Sequence, residues 1–356
     1  MRALVLSGGG ALGAYEAGAI AAYHSRGEIF DLICGTSIGA LNGSFVAQGK
    51  FDELATVWQT IGVAQVITLV PLAQKLIDFG LELEGMSTGG PLKRIGQLLS
   101  SLRNLSVITS LGTVMKLRGA IAPTPIEAIL KKHLVFSDLQ RALVVSGTNV
   151  TLGGSDAFCW FPDKAAAAAF IDKHDKGGAY PITQATFVDA VRASTSIPFA
   201  FEPVSLGGRG QACEYVDGGV ANNTPIGVAI DAGATDVTVI FVDPAVTRAP
   251  QETSTLAQIG LECFGIMQQK ILDMDFASAL KVNAAIQNAN GGVGSSGAPR
   301  TEIKLSIVRP KVALPLSVLQ FDKQDLIIEA YTTGYVDAGG VLPVPWPTAG
   351  SAPATR

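Results

Sequence analysis

Residues 30–46 read Phe30-Asp31-Leu32-Ile33-Cys34-Gly35-Thr36-Ser37-Ile38-Gly39-Ala40-Leu41-Asn42-Gly43-Ser44-Phe45-Val46. An apolar run, a G-x-S-x-G pentad and a helix-like stretch follow one another without a gap. That is the strand–turn–helix context in which a serine stands on a sharp turn with its Oγ exposed. The flanking Gly35 and Gly39 suit a strained backbone with no room for a Cβ. The reading predicts a strand over 30–34 and a helix from 37.

Upstream, Met1-Arg2-Ala3-Leu4-Val5-Leu6 has the pattern of a buried strand, predicted over 2–7. A small-residue helix follows from about 11 to 26. Residues 1–49 are therefore β–α–β–α, which predicts a parallel sheet with helices on both faces. Later β-rich runs (Ala142 to Ser146, Tyr215 to Asp217, Val237 to Val242, Ile303 to Val308) and helical stretches near 183–193, 253–289 and 323–338 continue the pattern. In such sheets, sites form at the carboxyl ends of strands, where both the serine turn and the loop after the first strand fall.

That loop is Ser7-Gly8-Gly9-Gly10-Ala11-Leu12-Gly13. A glycine run entering a helix turns successive N–H groups into one concavity at the positive end of the helix dipole. Such a nest holds a phosphate or the oxyanion of an acyl-transfer intermediate. Gly8-x-Gly10-x-x-Gly13 also fits the dinucleotide fingerprint, and Asp31 follows near the distance, about 20 residues, expected of a ribose-binding acid. A third element, Asp217-Gly218-Gly219, places an acid at a strand end after Glu214-Tyr215-Val216. A serine hydroxyl needs a base to become a nucleophile, and the obvious base is this carboxylate.

Taken in order, Gly8-Gly9-Gly10-x-x-Gly13, Gly35-x-Ser37-x-Gly39 and Asp217-Gly218-Gly219 resemble the patatin-like phospholipase family. Ala193-Ser194-Thr195-Ser196-Ile197-Pro198-Phe199, Val220-Ala221-Asn222-Asn223-Thr224-Pro225 and Gly233-Ala234-Thr235-Asp236 look like the same family, as do Phe321-Asp322 and Gly334-Tyr335 near the end. The likeness covers most of residues 1–340 and is weakest between about 60 and 180. The resemblance implies a three-layer α/β/α fold with a mostly parallel central sheet. It implies a lipid acyl hydrolase with Ser37 as nucleophile, Asp217 as base and the amides around Gly8, Gly9 and Gly10 as oxyanion hole. Ile38 supplies a further donor, as is usual after an elbow serine. One departure is Leu12, where the family usually carries Arg or Lys; the backbone donors survive that change, but the side-chain charge does not.

Composition narrows the alternatives. Of 356 residues, 48% are hydrophobic and 16% charged, and the formal net charge is −4. No basic stripe exists to neutralise nucleic-acid phosphates, so contact with a membrane surface is expected to be transient and mostly apolar. No targeting segment or apolar run of about 18 residues is legible, which gives the expectation of a cytoplasmic protein, at most peripheral to membranes. Cys34, Cys159, Cys213 and Cys263 are scattered, so free thiols are expected rather than a disulfide or metal site. Neither a metal nor an organic cofactor is expected.

The histidines exclude a Ser-Asp-His triad. His24, His133 and His174 all precede Asp217, whereas an α/β-hydrolase places its histidine after the acid. Asp243-Pro244 reads as a turn or cap at a strand end. Residues 1–340 are expected to form one hydrolase domain, in which 60–180 is a less regular insert: an apolar stretch at 61–84, then two helices over 87–134 split near Pro123-Thr124-Pro125, together a pocket wall, a mobile cover or a core helix pair. Residues 289–298 read as a Gly/Ser loop, and 341–356 as a disordered tail. The expected function is hydrolysis of carboxylic esters of phospholipids or related lipids through an acyl-enzyme. The rivals are a nicotinamide-dependent oxidoreductase built on the glycine loop and a catalytically degenerate lipid-binding protein.

Overall fold

The computed structural model describes residues 1–61, 124–174, 178–198, 200–208, 211–244, 302–318 and 320–344, with single helical positions between 266 and 284. The chain begins β1 (Arg2–Leu6), α1 (Gly13–Ser25), β2 (Leu32–Thr36), α2 (Ile38–Gln48) and α3 (Phe51–Thr60). It continues α4 (Thr124–His133), β3 (Ala142–Asn149), β4 (Ser155–Trp160), α5 (Lys164–Lys173), β5 (Ala179–Pro181) and α6 (Phe187–Ser194). Then follow β6 (Val204–Gly208), β7 (Gln211–Asp217), α7 (Ile226–Asp231), β8 (Asp236–Ile240), β9 (Lys304–Val308) and α8 (Gln324–Asp337).

Among the described residues the strands form one sheet in the order β5-β4-β3-β2-β1-β8-β9, with β7 joined to β3 and β6. The block β3-β2-β1-β8-β9 is parallel, as the β–α–β–α opening predicts. The sheet as a whole is mixed, not purely parallel: parallel pairings predominate among the described strands, β4–β5 included, but antiparallel ones are present. β4 runs antiparallel to β3, and β7 antiparallel to both β3 and β6. The cause is local. β3 and β4 are joined by a tight turn through Gly153 and Gly154, both at positive φ, and so short a link permits only antiparallel pairing.

Alternation along each strand divides the core in two. Ala3, Val5, Leu32, Cys34, Val144 and Val239 face one way, toward Phe170 of α5 and Ala229 of α7. Leu4, Leu6, Ile33 and Val145 face the other, toward Phe45 of α2, Trp58 of α3 and Tyr331 of α8. Helices on both faces of one sheet make three layers. Element boundaries moved in places. The strand expected over 30–34 is Leu32–Thr36, because its ladder runs from Ala3↔Leu32 on β1 to Thr36↔Ser146 on β3.

Much of the middle of the chain proves regular. Residues 124–180 supply α4, β3, β4, α5 and β5, so a stretch that reads as irregular contributes strands to the sheet. The apolar stretch 62–84, the helices expected through 123, the loop 289–298 and the tail from 345 lie outside the described residues, as does Cys263.

α8 closes the structure against α1. A Cβ on Gly18 would fall 1.8 Å from the Tyr331 carbonyl oxygen, and one on Gly334 1.9 Å from that of Tyr15. The two glycines therefore set how near these helices come. Tyr15 Oη donates to Asp337 Oδ2 at 2.9 Å across the same seam. Gly334→Val should drive the helices apart and destabilise the protein by about 3 kcal/mol or more, the upper end of overpacking penalties. A melting temperature within a degree of the unsubstituted chain would show that the seam yields freely.

Candidate active site

The serine and the acid meet because two strands share one edge of β3. β2 pairs with Ala142 to Ser146 of β3, running parallel to it. β7 pairs with Gly147 to Asn149, running antiparallel. Gly147 and Thr148 are also paired with β4, so β7 must occupy the edge opposite β4, which is the edge of β2. β2 and β7 therefore lie end to end and point at each other. Thr36 is opposite Ser146 and Asp217 opposite Gly147, which leaves Ser37 and Asp217 at the junction.

Ser37 Oγ donates to Asp217 Oδ2 at 2.5 Å, and the Gly219 N–H donates to Asp217 Oδ1 at 2.8 Å. Both residues are buried, Ser37 at 5% and Asp217 at 1% exposure. Burial pushes the Asp217 carboxyl up to about 7, against the opposing pull of the bonds from Ser37 and Gly219. Removal from water disfavours the ionised form, so this carboxylate is a far better proton acceptor than a solvated aspartate.

Ser37 has φ 55° and ψ −126°, and is the one non-glycine residue at positive φ among the described residues. Strain of this kind persists only where the surroundings impose it. Here the Ser37 N–H donates to Ser194 Oγ at 2.8 Å, and Ser194 Oγ donates to the Ser146 carbonyl at 2.6 Å. On the far side, the Ser37 carbonyl accepts the Ala40 and Leu41 N–H groups as α2 begins. A Cβ on Gly39 would fall 2.5 Å from the Leu6 carbonyl oxygen, so the elbow helix presses directly on the end of β1. Gly35 is as tightly placed, with the Gly39 carbonyl oxygen 2.4 Å from where its Cβ would be.

The glycine loop lies beside this elbow. A Cβ on Gly8 would fall 3.1 Å from Ser37 Cβ. The Gly8 N–H donates to the Asn223 carbonyl at 3.1 Å, while those of Gly9, Gly10 and Ile38 take no partner among the described residues. Gly10 sits at φ 57° with the Val318 carbonyl oxygen 2.1 Å from its Cβ position, so no other residue fits there. Gly13 starts α1 against Ile38, and Leu12 is buried in the core next to the loop. Gly218 stands against Ser146 and Thr36.

Two stretches that sequence carried only as family likeness have physical tasks here. In 193–199, Ser194 braces the nucleophile and the Ser196 carbonyl accepts the Asp217 N–H at 2.8 Å. In 220–225, the Asn222 carbonyl accepts from Thr36 Oγ1 at 2.8 Å and the Asn223 carbonyl from Gly8. Ser194 carries no motif of its own, and only its place before the acid marked it.

The remaining candidates lie elsewhere. Asp31 Oδ2 accepts the Arg2 N–H at 2.8 Å, at the amino end of β2. The glycine loop follows the carboxyl end of the neighbouring β1. Five residues at roughly 3.3 Å each separate those two ends by about 16 Å, so Asp31 cannot serve a ribose held at the loop. His24 stacks on Phe51 at 3.8 Å, His133 Nδ1 lies 3.0 Å from Glu53 Oε2, and His174 Nδ1 is 2.7 Å from the Phe170 carbonyl oxygen. The carbonyls of Asp243 and Pro244 accept from Arg309, a turn contact. Cys34 and Cys159 are buried free thiols, and Cys213 is buried as well. No helix among the described residues is long and apolar enough to cross a membrane.

A family model described as patatin-like phospholipase matches residues 4–230. The chain is similar to a Bacillus subtilis (strain 168) protein described as uncharacterized protein YqhO, at 29% identity over 226 residues, covering 62% of this chain and 64% of that protein. It is also similar, at 15% identity and a TM-score of 0.37, to the crystal structure of VipD from Legionella pneumophila, covering 95% of this chain and 66% of that one. In both cases the chain spans less than two thirds of the relative's length.

Proposed function

The chain belongs to the patatin-like phospholipase family, and on that premise we propose that it hydrolyses carboxylic esters of phospholipids or related lipids through a Ser37–Asp217 dyad and a covalent acyl-enzyme. The observation that carries this reading is the 2.5 Å bond from Ser37 Oγ to a buried carboxylate with no ion-pair partner among the described residues. In the forward step Asp217 takes the hydroxyl proton as Oγ bonds to the acyl carbon. The carbonyl oxygen becomes an oxyanion held by the N–H groups of Gly9, Gly10 and Ile38, each good donor being worth about 3–4 kcal/mol. Gly8 is already engaged by Asn223, so its part is to hold the loop unless that bond breaks. The proton on Asp217 then passes to the leaving alcohol. Water attacks the acyl-enzyme with Asp217 again as base, and Ser37 is regenerated.

The direct test is labelling of the intact chain with a fluorophosphonate, followed by peptide mapping, alongside turnover of p-nitrophenyl acyl esters. Adduct on Ser37 with ester turnover is the expected result. Micromolar, saturable binding of NAD(H) or NADP(H) without esterase activity would favour the oxidoreductase instead, and neither activity nor adduct would favour a degenerate lipid-binding protein.

Catalysis without histidine follows from the same reading. Single replacement of His24, His133 or His174 by Gln should leave ester turnover within roughly tenfold, about 1.4 kcal/mol of barrier. A folded histidine variant as inactive as Ser37→Ala would demand a triad in place of the dyad.

A further inference from the structure

Among the described residues, Glu16 is the most deeply buried carboxylate side chain that the proposed chemistry does not use. It lies on α1 at 0% exposure. Its Oε2 accepts from Asn42 Nδ2 at 3.0 Å, and its Oε1 accepts from Ser7 Oγ at 3.5 Å. Both partners are neutral. A buried carboxyl facing no cation costs stability, and burial raises its pKa well above the usual carboxylate range.

The placement of its partners gives that cost a purpose. Ser7 immediately precedes the glycine run. Asn42 belongs to α2, the helix that Ser37 caps, and its Nδ2 also donates to the Gly13 carbonyl at 3.0 Å, where the loop ends. Its Oδ1 accepts from Trp58 Nε1 at 2.9 Å, which ties in α3. Gln324 of α8 in turn donates to the Trp58 and Gln59 carbonyls. Both ends of the loop that carries the oxyanion donors are thereby fastened, through one carboxyl and one amide, to the helix that carries the nucleophile.

We propose that Glu16 is a positioning residue of the catalytic centre, holding the Gly8–Gly10 amides in register with Ser37 through Ser7 and Asn42. This rests on the hydrolase reading. Glu16 touches no reacting atom; it fixes the distance between two groups that do. Errors of an ångström at such donors are costly, so loosening the loop should weaken the transition state more than the ground state.

The experiment compares Glu16→Gln, Glu16→Met and Ser7→Ala in the full chain. Three quantities are read: kcat and KM for p-nitrophenyl butyrate, inhibition by an alkyl trifluoromethyl ketone, and melting temperature. The ketone's adduct oxygen uses the same donors as the oxyanion. Glu16→Met should lower kcat at least tenfold with KM within threefold, and weaken the ketone by the same factor as kcat/KM. Glu16→Gln, whose oxygen still accepts from Asn42 while its amide N–H donates to Ser7 Oγ in the reverse sense, should return kcat to within threefold. If Glu16→Met does not fold, Ser7→Ala decides: a threefold or greater fall in kcat with a parallel loss of ketone affinity is expected. A folded Glu16→Met with unchanged kcat, a Ser7→Ala variant with unchanged kcat, or a fall in melting temperature alone would overturn the proposal. If the unsubstituted chain neither turned over ester nor labelled at Ser37, the hydrolase reading would fail first and take this one with it.

Discussion

Ser37→Ala and Asp217→Asn should each lower kcat for a soluble ester at least a thousandfold while leaving the protein folded. Groups that act as one unit lose nearly everything when either is removed, and the residual rate comes from binding and the oxyanion donors. The double variant should therefore be no worse than the poorer single one, a strong departure from additivity. Asp217→Asn is the sharper probe. An amide there can still accept the Gly219 N–H through its oxygen and donate to Ser37 Oγ through its nitrogen, so both contacts of the carboxylate have a neutral counterpart. Geometry survives and only the proton acceptor is lost. Turnover, circular dichroism and fluorophosphonate labelling of the same preparations would check it. If folded Asp217→Asn kept more than a tenth of the activity, another base would have to serve Ser37, and no histidine neighbours it in the described structure.

The three motifs were legible because each is a local backbone demand: a glycine where a carbonyl crowds the Cβ position, a serine between two of them, an acid followed by glycines. What brings them together is not local. That β2 and β7 abut along β3 depends on Gly147 pairing with Asp217, and nothing in the spacing of either segment announces that partner. The same non-local pairing sets β7 antiparallel on β3, in a sheet that its opening residues describe as parallel, while β4 turns antiparallel for the local reason of its short link. The place of Asp31 in the dinucleotide fingerprint is lost for a related reason. Sequence distance put Asp31 where a ribose acid belongs, but it falls at the start of β2 rather than its end. Glu16 is the lone charge among the small and apolar residues of Gly13 to Ala22, but its burial against Asn42 of α2 is a tertiary fact that its own segment does not announce.

The raised Asp217 pKa has consequences for both rate and stability, and they run in opposite directions with pH. The base must be ionised to act, so kcat/KM should rise with pH through a midpoint of about 7. For stability, an unfolded aspartate titrates near 4, while in the fold the midpoint is about 7. Between these values the native state holds a proton that the unfolded chain has lost. Stability must therefore fall as pH rises across that window, with the favourable contribution complete below about pH 4 and gone above about pH 7. Three pH units at about 1.4 kcal/mol each amount to about 4 kcal/mol. Asp217→Asn cannot titrate, and other groups, Glu16 included, cancel when the variant is compared with the unsubstituted chain. The difference in unfolding free energy between them should therefore move in favour of the variant by about 4 kcal/mol from pH 4 to pH 8, and level off beyond. Denaturant melts at several pH values measure it directly. A difference independent of pH would mean that folding leaves this carboxyl at its ordinary value. Ser37 would then face a weak base, and the whole burden of lowering the barrier would fall on the amides of Gly9, Gly10 and Ile38.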